Sequence, residues 1–189
     1  MLMINYTRSC TEADLFGILR LQQANLAHNL PDEEIQTQGF VTVVHSVEDL
    51  AGLNDTEAHV IAKDGDKVIG YLLAMTKKSQ FDIPVLVPMF EKFNEVKFRD
   101  QFISAYNYIV VGQVCIDKSY RGQGIFDKCY YSYRNYFKNR YDFAITEIDT
   151  KNLRSLNAHR RVGFNTINKY QDGNGREWVI VLWDWKRGQ

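Results

Sequence analysis

The chain has 189 residues, 45% of them hydrophobic and 24% charged, the balance of a soluble globular protein and not of a disordered chain, a collagen or a coiled coil. Lys+Arg and Asp+Glu both number 23, so the basic excess of a general nucleic-acid binder is missing. No apolar run reaches the ~18 residues of a membrane span, and residues 1–14 hold no apolar leader core. A single domain over residues 1–189, in the cytoplasm, without nucleic-acid or membrane partners, is the expectation.

Residues 2–6 read as a short first strand. Thr11, followed by Glu12 and Asp14, opens a helix. Leu15, Ile18, Leu19, Gln22 and Leu26 continue it at helical spacing, to end before Pro31. Asp32-Glu33-Glu34 reads as a solvated loop or a helix start. Ser46 caps a second helix over 46–53, with Asp49 at the capping-box position. Strands over 59–63 and 67–75 flank Asp64-Gly65-Asp66, a hairpin signal. Residues 79–105 hold two prolines, a helix-like piece at 87–93 and polar spacers, and read as an insert leaving the sheet.

Residues 108–116 form a strong strand whose near-continuous apolar run predicts burial on both faces. A helix over 125–140 carries Phe126, Cys129, Tyr130, Tyr133 and Phe137 on one stripe. A strand over 142–150 and an Arg-rich helix over 153–162 follow, with Gly163 at the helix end. Strands over 164–170 and 177–185 close the chain around a second turn at 172–175. Strand–helix–strand in the middle with hairpins on either side gives an α/β (α+β) fold: a mixed, largely antiparallel sheet with one parallel pair and helices on both faces.

The richest stretch is Cys115–Phe126, where a buried strand turns into a helix through Arg121-Gly122-Gln123-Gly124. Glycines permit positive φ and close approach. The first N–H groups of a helix lack internal partners, and its dipole favours an anion there. The turn therefore suits a phosphate or pyrophosphate, with Arg121 able to add a charge-assisted contact. It is not a Walker loop, because Ile125 follows Gly124 where Lys and Ser/Thr are needed. A Rossmann fingerprint fails as well, with Asp127 at its third glycine. A plain structural turn remains open on this segment alone.

Read together with the next segment, the turn resembles a known pattern. Arg121-Gly122-Gln123-Gly124-Ile125 is similar to the pyrophosphate loop of the GCN5-related N-acetyltransferase (GNAT) superfamily, usually written Gln/Arg-x-x-Gly-x-Gly/Ala. Asn152-Leu153-Arg154-Ser155 and the later Gly163-Phe164 resemble that superfamily's second motif, Asn-x-x-Ala/Ser followed by Gly-Phe. The element order agrees over roughly residues 3–185. Phe126 stands where Gly or Ala is usual, His159 where the family often has a Tyr acid, and the 79–105 insert is longer than usual.

The resemblance implies acetyl-CoA as co-substrate, lying between splayed parallel strands at 108–116 and 142–150. Val114 and Ile116 would offer backbone groups to the pantetheine arm. Amides of Arg121, Gly122, Gln123, Gly124, Ile125 and Phe126 would hold the diphosphate, and Asn152 a pantetheine amide. Lys151, Arg154 or Arg160 would meet the nucleotide phosphate, unless they are a solvated helix face. The implied function is transfer of acetyl to a primary amine of a small molecule or peptide. The alternative is a non-catalytic acyl-CoA sensor on the same fold.

Such a transfer needs a neutral amine. A lysine-like amine has a pKa of ~10.4, so a proton sink is required. Glu147, on the strand leading to the cofactor and five residues before Asn152, is the candidate base. The superfamily's ribosomal-protein acetyltransferases place a catalytic Glu at that offset. Asp149, on the same strand face, is the reserve. An ion-paired strand carboxylate is the plainer reading of Glu147. His159 is the candidate acid or thiolate donor, its plainer reading being a helix-surface histidine. Cys115 is read as a core cysteine and not a nucleophile. The three scattered cysteines, and His28, His45 and His59, lack metal-ligand spacing, so no metal is expected. Phe40, Phe81, Phe90, Phe93 and Phe98 either shape the acceptor groove or pack in the core or against a second copy, which leaves a homodimer open.

Overall fold

A computed structural model describes residues 3–186 apart from residue 82, with backbone only at residues 32, 36 and 37. Nine strands and six α-helices alternate along it. Strand β1 covers Asn5–Arg8, later than expected because Arg8 and its neighbours pair with β2 (Val60–Asp64). Residue 2, part of the expected first strand, lies outside the described residues. Helix α1 covers Glu12–Asn25 behind a full Thr11/Asp14 capping box. A 3-10 turn over Ala27–Asn29 separates it from α2, Asp32–Gln38, which starts at the acidic run. Helix α3, Val47–Thr56, has the expected Ser46/Asp49 capping box.

β3 spans Lys67–Met75 and β6 Tyr108–Ile116. Between them the insert forms three 3-10 turns, helix α4 (Val87–Glu95) and a two-stranded ribbon, β4 (Lys97–Phe98) with β5 (Gln101–Phe102). It therefore stands outside the main sheet as expected. The remainder is α5 (Ile125–Phe137), β7 (Phe143–Asp149), α6 (Leu153–Val162), β8 (Asn165–Gln171) and β9 (Glu177–Asp184). The seven-stranded sheet runs β1-β2-β3-β6-β7-β9-β8, with β6–β7 its one parallel pair.

Two apolar layers cover the sheet. One packs α1, α3 and α4 on Tyr71, Tyr108, Val110 and Ile145. The other packs α5 and α6 on Leu72, Ile109, Val111 and Ile148. This explains why β3, β6 and β7 read as continuous apolar runs. Phe90 and Phe93 are core residues, Phe98 stacks edge-on with Phe143, and Phe81 is exposed.

In β6 the side-chain alternation changes phase. Tyr108 and Val110 face the first layer and Ile109 and Val111 the second, yet Cys115 faces the first and Ile116 the second. Alternation without interruption would put Cys115 with Ile109. An extra residue accounts for the switch: Leu72 pairs with Val114, but Ala74 pairs with Val111. This is a β-bulge at Gly112–Gln113. A Cβ at Gly112 would overlap the end of the buried Met75 side chain, which would have to shift to admit it.

His59, between α3 and β3, accepts from the Ala74 N–H at Nδ1 (3.1 Å) and donates from Nε2 to the Leu50 carbonyl (3.1 Å). Burial pushes its pKa down to about 4. The unfolded histidine titrates near ~6.5, so between those values the unfolded chain binds the extra proton. The stability held by neutral His59 is full above about pH 6.5 and is lost as pH falls toward 4. We expect chemical-denaturation series for the parent to lose stability over this range, and His59→Gln to lower the slope by about one proton. An unchanged slope would refute a buried neutral His59.

Candidate active site

The parallel ladder between β6 and β7 is only three residues long, ending at Val110–Ile145. Thr146 makes the last link, its Oγ1 donating to the Val111 carbonyl at 2.8 Å. Beyond it β6 stays with β3 to Ile116 and β7 stays with β9 to Asp149. The strands part where the β6 bulge begins, opening a cleft through the middle of the sheet.

Residues 38–43 cross the mouth of this cleft as a strap. Val41 N–H donates to the Asn25 carbonyl (3.0 Å). Two side-chain amides reach the strap from the cleft walls. Asn152 Nδ2 donates to the Phe40 carbonyl (3.3 Å), and Gln113 Nε2 donates to the Val43 carbonyl (2.8 Å). Tyr71 holds Gln113 from behind, its hydroxyl donating to Oε1 at 2.5 Å. Gly39 has φ 76°, and a Cβ there would lie 2.9 Å from Asn152 Oδ1, so only glycine lets the strap approach α6 this closely.

At one end of the cleft, α5 starts at Gly124 with φ 74° and Gly122 has φ 77°. A Cβ at either would meet open space, so these glycines answer a backbone requirement and not crowding. Among the described residues, no protein acceptor takes the amide hydrogens of Gly122, Gln123, Gly124, Ile125 or Phe126. Of these residues, Gly122, Gly124, Ile125 and Phe126 line a groove bordered also by Asp127, Arg154, Asn157 and Arg161. Asp127, the acid in the first turn, also lines this groove, where it is paired with Arg161 at 2.6 Å.

The Arg121 side chain differs from expectation. Its guanidinium turns inward to Asn25 Oδ1 (2.5 Å) and the Ile116 carbonyl (3.2 Å), with Glu34 of α2 at 3.7 Å. It braces α1, α2 and the end of β6, and the Arg121 N–H, expected among the diphosphate amides, donates to the Lys118 carbonyl (3.4 Å). The Ile116 carbonyl, one of the backbone groups expected to serve a ligand, accepts this contact. Val114 lines the cleft on both sides of Phe40. Phe126 packs its ring against Tyr130 and His159, centroids 4.9 and 5.4 Å away, while bordering the groove.

The other end of the cleft brings Glu147 together with Gln113, Val114, Asn152, Ser155 and His159. Burial pushes the Glu147 carboxyl up to about 7, against a hydrogen bond from the Tyr170 hydroxyl to Oε2 that favours its ionised form. No arginine or lysine pairs with it among the described residues. Asp149 is committed to the turn, accepting from Lys151 N–H (2.8 Å) with Arg176 3.6 Å away. Burial raises the Cys115 thiol to about 12, which leaves it protonated and inert. His159 is no surface residue. It is 2% exposed, burial lowers its pKa to about 4, and both ring nitrogens are engaged.

Four residues of the site went unrecognised in the sequence. Gln113 carried a signal, being the one strongly polar side chain in an apolar strand. Thr146, Tyr130 and Tyr170 carried none, since each reads as an ordinary strand or stripe residue.

The sequence matches the model of the acetyltransferase (GNAT) family over residues 24–164, and the chain belongs to that family. Solved structures share the fold over nearly their whole length. A chain of the NatC complex bound to Gag peptide and CoA is 14% identical, with 96% of this chain and 98% of that one covered and a TM-score of 0.63. The ribosomal-protein-S18-alanine N-acetyltransferase of Escherichia coli is 13% identical, covering 99% and 97%, also at 0.63. YncA of Salmonella typhimurium, solved with acetyl-CoA, is 12% identical, covering 97% and 95%, at 0.61. No curated protein matches the sequence.

The loop geometry predicts a specific sensitivity. Gly124→Ala has room for its methyl group, so its only penalty is the left-handed backbone, about 1–2 kcal/mol. If the loop relaxes to escape that strain, its amides turn. We expect a CoA affinity reduced roughly tenfold by calorimetry, with only a small drop in melting temperature.

Proposed function

We propose that this protein moves an acetyl group from acetyl-CoA directly to a primary amine, with Glu147 as the general base. Three features support acetyl-CoA as co-substrate: family membership, the free amides at residues 122–126, and relatives in fold solved with CoA or acetyl-CoA. In this reading those amides hold the diphosphate, and Val114 and Asn152 hold the pantetheine arm. Arg154, which borders both the groove and the cleft, lies near the nucleotide. Asn152 Nδ2 would exchange its long bond to the Phe40 carbonyl for one to the ligand. Acetyl-CoA supplies the activated acyl carbon.

The observation that carries the base assignment is the half-buried Glu147 carboxyl, pushed by desolvation up to about 7 and hydrogen-bonded by Tyr170. A base works best when its pKa lies near the working pH, where it is ionised often enough and still accepts a proton readily. An exposed glutamate near ~4.3 would be ionised but a weak acceptor. Burial raises basicity, and Tyr170 keeps the carboxylate from being fully neutralised. Glu147 takes a proton from the amine nitrogen as it bonds to the acetyl carbon, the amine having entered the cleft in its neutral form. The acceptor is an amine on a small molecule or a peptide. Two of the fold relatives are described as acting on, or bound with, polypeptide, which favours testing peptides first.

Because the base must be deprotonated, activity rises with pH and levels off above about 7. With acetyl-CoA and a panel of peptides and small amines, Glu147→Gln should lower kcat by about 10²–10⁴-fold and retain CoA binding. Tyr170→Phe removes the bond that favours the ionised form, so the rising limb of its pH–rate profile should move to higher pH. A profile that stays in place would remove Tyr170 from the site. Tight acetyl-CoA binding with no turnover on any amine would favour the sensor reading.

A further inference from the structure

The hydrogen bonds around His159 fix the position of its single ring proton. Nδ1 lies 2.8 Å from the Ser155 carbonyl oxygen, which can only accept, so Nδ1 carries the hydrogen. Nε2 is then an acceptor, and the Tyr130 hydroxyl donates to it at 2.5 Å. Ring contacts from Phe126, Tyr130 and Phe164, with centroids 5.4, 5.2 and 5.1 Å away, enclose the imidazole. A neutral ring so enclosed, with its proton bonded within the helix, has none to release into the cleft.

The Ser155 hydroxyl is placed differently. Its oxygen lies 3.2 Å from His159 Nδ1. Since Nδ1 is the donor, its hydrogen is shared between the Ser155 carbonyl and Oγ, and Oγ accepts. The hydroxyl hydrogen of Ser155 is thereby left over. The helix cap does not use it, because Asn152 Oδ1 takes the Ser155 backbone N–H (3.1 Å). Ser155 also borders both halves of the cleft, the half with Glu147 and the half with Val114 and Arg154. The chain Tyr130 → His159 → Ser155 thus ends on a half-buried hydroxyl in the cleft lining, with a hydrogen to give.

We propose that Ser155 is a catalytic residue whose hydroxyl donates a hydrogen bond to the departing thioester sulfur, with His159 and Tyr130 as positioning residues that orient it. This rests on the acetyl-transfer reading above. The amine nitrogen bonds to the carbonyl carbon, the carbon–sulfur bond breaks, and its electron pair stays on sulfur. The amine proton goes to Glu147. Ser155 keeps its own proton and stabilises the thiolate through it, and the sulfur is protonated later by water.

CoA itself is the first probe. Thiolate absorbance titrations of CoA bound to the full chain should give a thiol pKa about one unit higher in Ser155→Ala than in the parent, with Ser155→Thr restoring the parent value. In turnover with acetyl-CoA and the amine the parent uses best, Ser155→Ala should lower kcat about 10–100-fold, with KM for acetyl-CoA little changed. Tyr130→Phe removes the donor that holds Nε2 and so loosens the ring that orients Ser155. It should lower kcat in the same direction at unchanged CoA affinity. A bound-thiol pKa and kcat unaltered in Ser155→Ala overturn the assignment. A parent that transfers acetyl to no amine overturns the function instead, and the thiol titration still decides on Ser155.

Discussion

One extra residue in the central strand is the constraint on which the site depends. The bulge at Gly112–Gln113 changes the phase of β6, and the parallel ladder with β7 stops just before it. A regular β6 would continue pairing toward Asp149 and leave no opening. Bulges bend a strand and increase its local twist. Here Gly112, lacking a Cβ, leaves the space that the Met75 side chain fills. The bulge also turns Gln113 into the cleft, where it meets both Tyr71 and the strap.

Opening a sheet leaves backbone groups without ladder partners, and buried ones are costly. The chain meets most of this demand with side chains. Thr146 serves the Val111 carbonyl at the fork, while Gln113 and Asn152 serve the strap carbonyls of Val43 and Phe40. These are single, exchangeable bonds in place of a ladder. A cleft held by amide side chains can release a bond to a ligand at little net cost, because one amide contact replaces another. Arg121 follows the same logic. Its guanidinium ties α1 and α2 to the end of β6, so the loop that presents the free amides is anchored from behind.

The sequence made the frame legible where local chemistry is strong. The capping boxes at Thr11 and Ser46, the turns at 64–66 and 172–175, and the Leu153–Val162 helix ending on Gly163 are specified within a few residues of chain. The glycine loop before α5 was legible for the same reason. The insert was recognisable as a departure from the sheet, though its small ribbon was not, since two-residue strands leave no periodic trace. The surroundings of Glu147 and His159 could not be foreseen. Tyr170 is 23 residues from Glu147 and Tyr130 is 29 from His159, and such pairings exist only after the sheet and α6 have closed. The inward turn of Arg121 belongs to the same class, because its partner Asn25 is 96 residues away.

Burial moves the pKa in opposite directions for two titratable residues that line the same end of the cleft. It favours the neutral form of both, which raises the Glu147 carboxyl to about 7 and lowers His159 to about 4. The consequence for chemistry is asymmetric. A carboxyl raised to neutrality becomes a better proton acceptor, whereas a histidine lowered below the working pH ceases to be a proton donor and becomes a fixed dipole. One desolvated environment thus assigns proton uptake to the Glu147 side and leaves only oriented hydrogen bonding on the α6 side. That division fits a reaction whose proton is released by the amine and whose other product leaves as a sulfur anion, needing stabilisation more than immediate protonation.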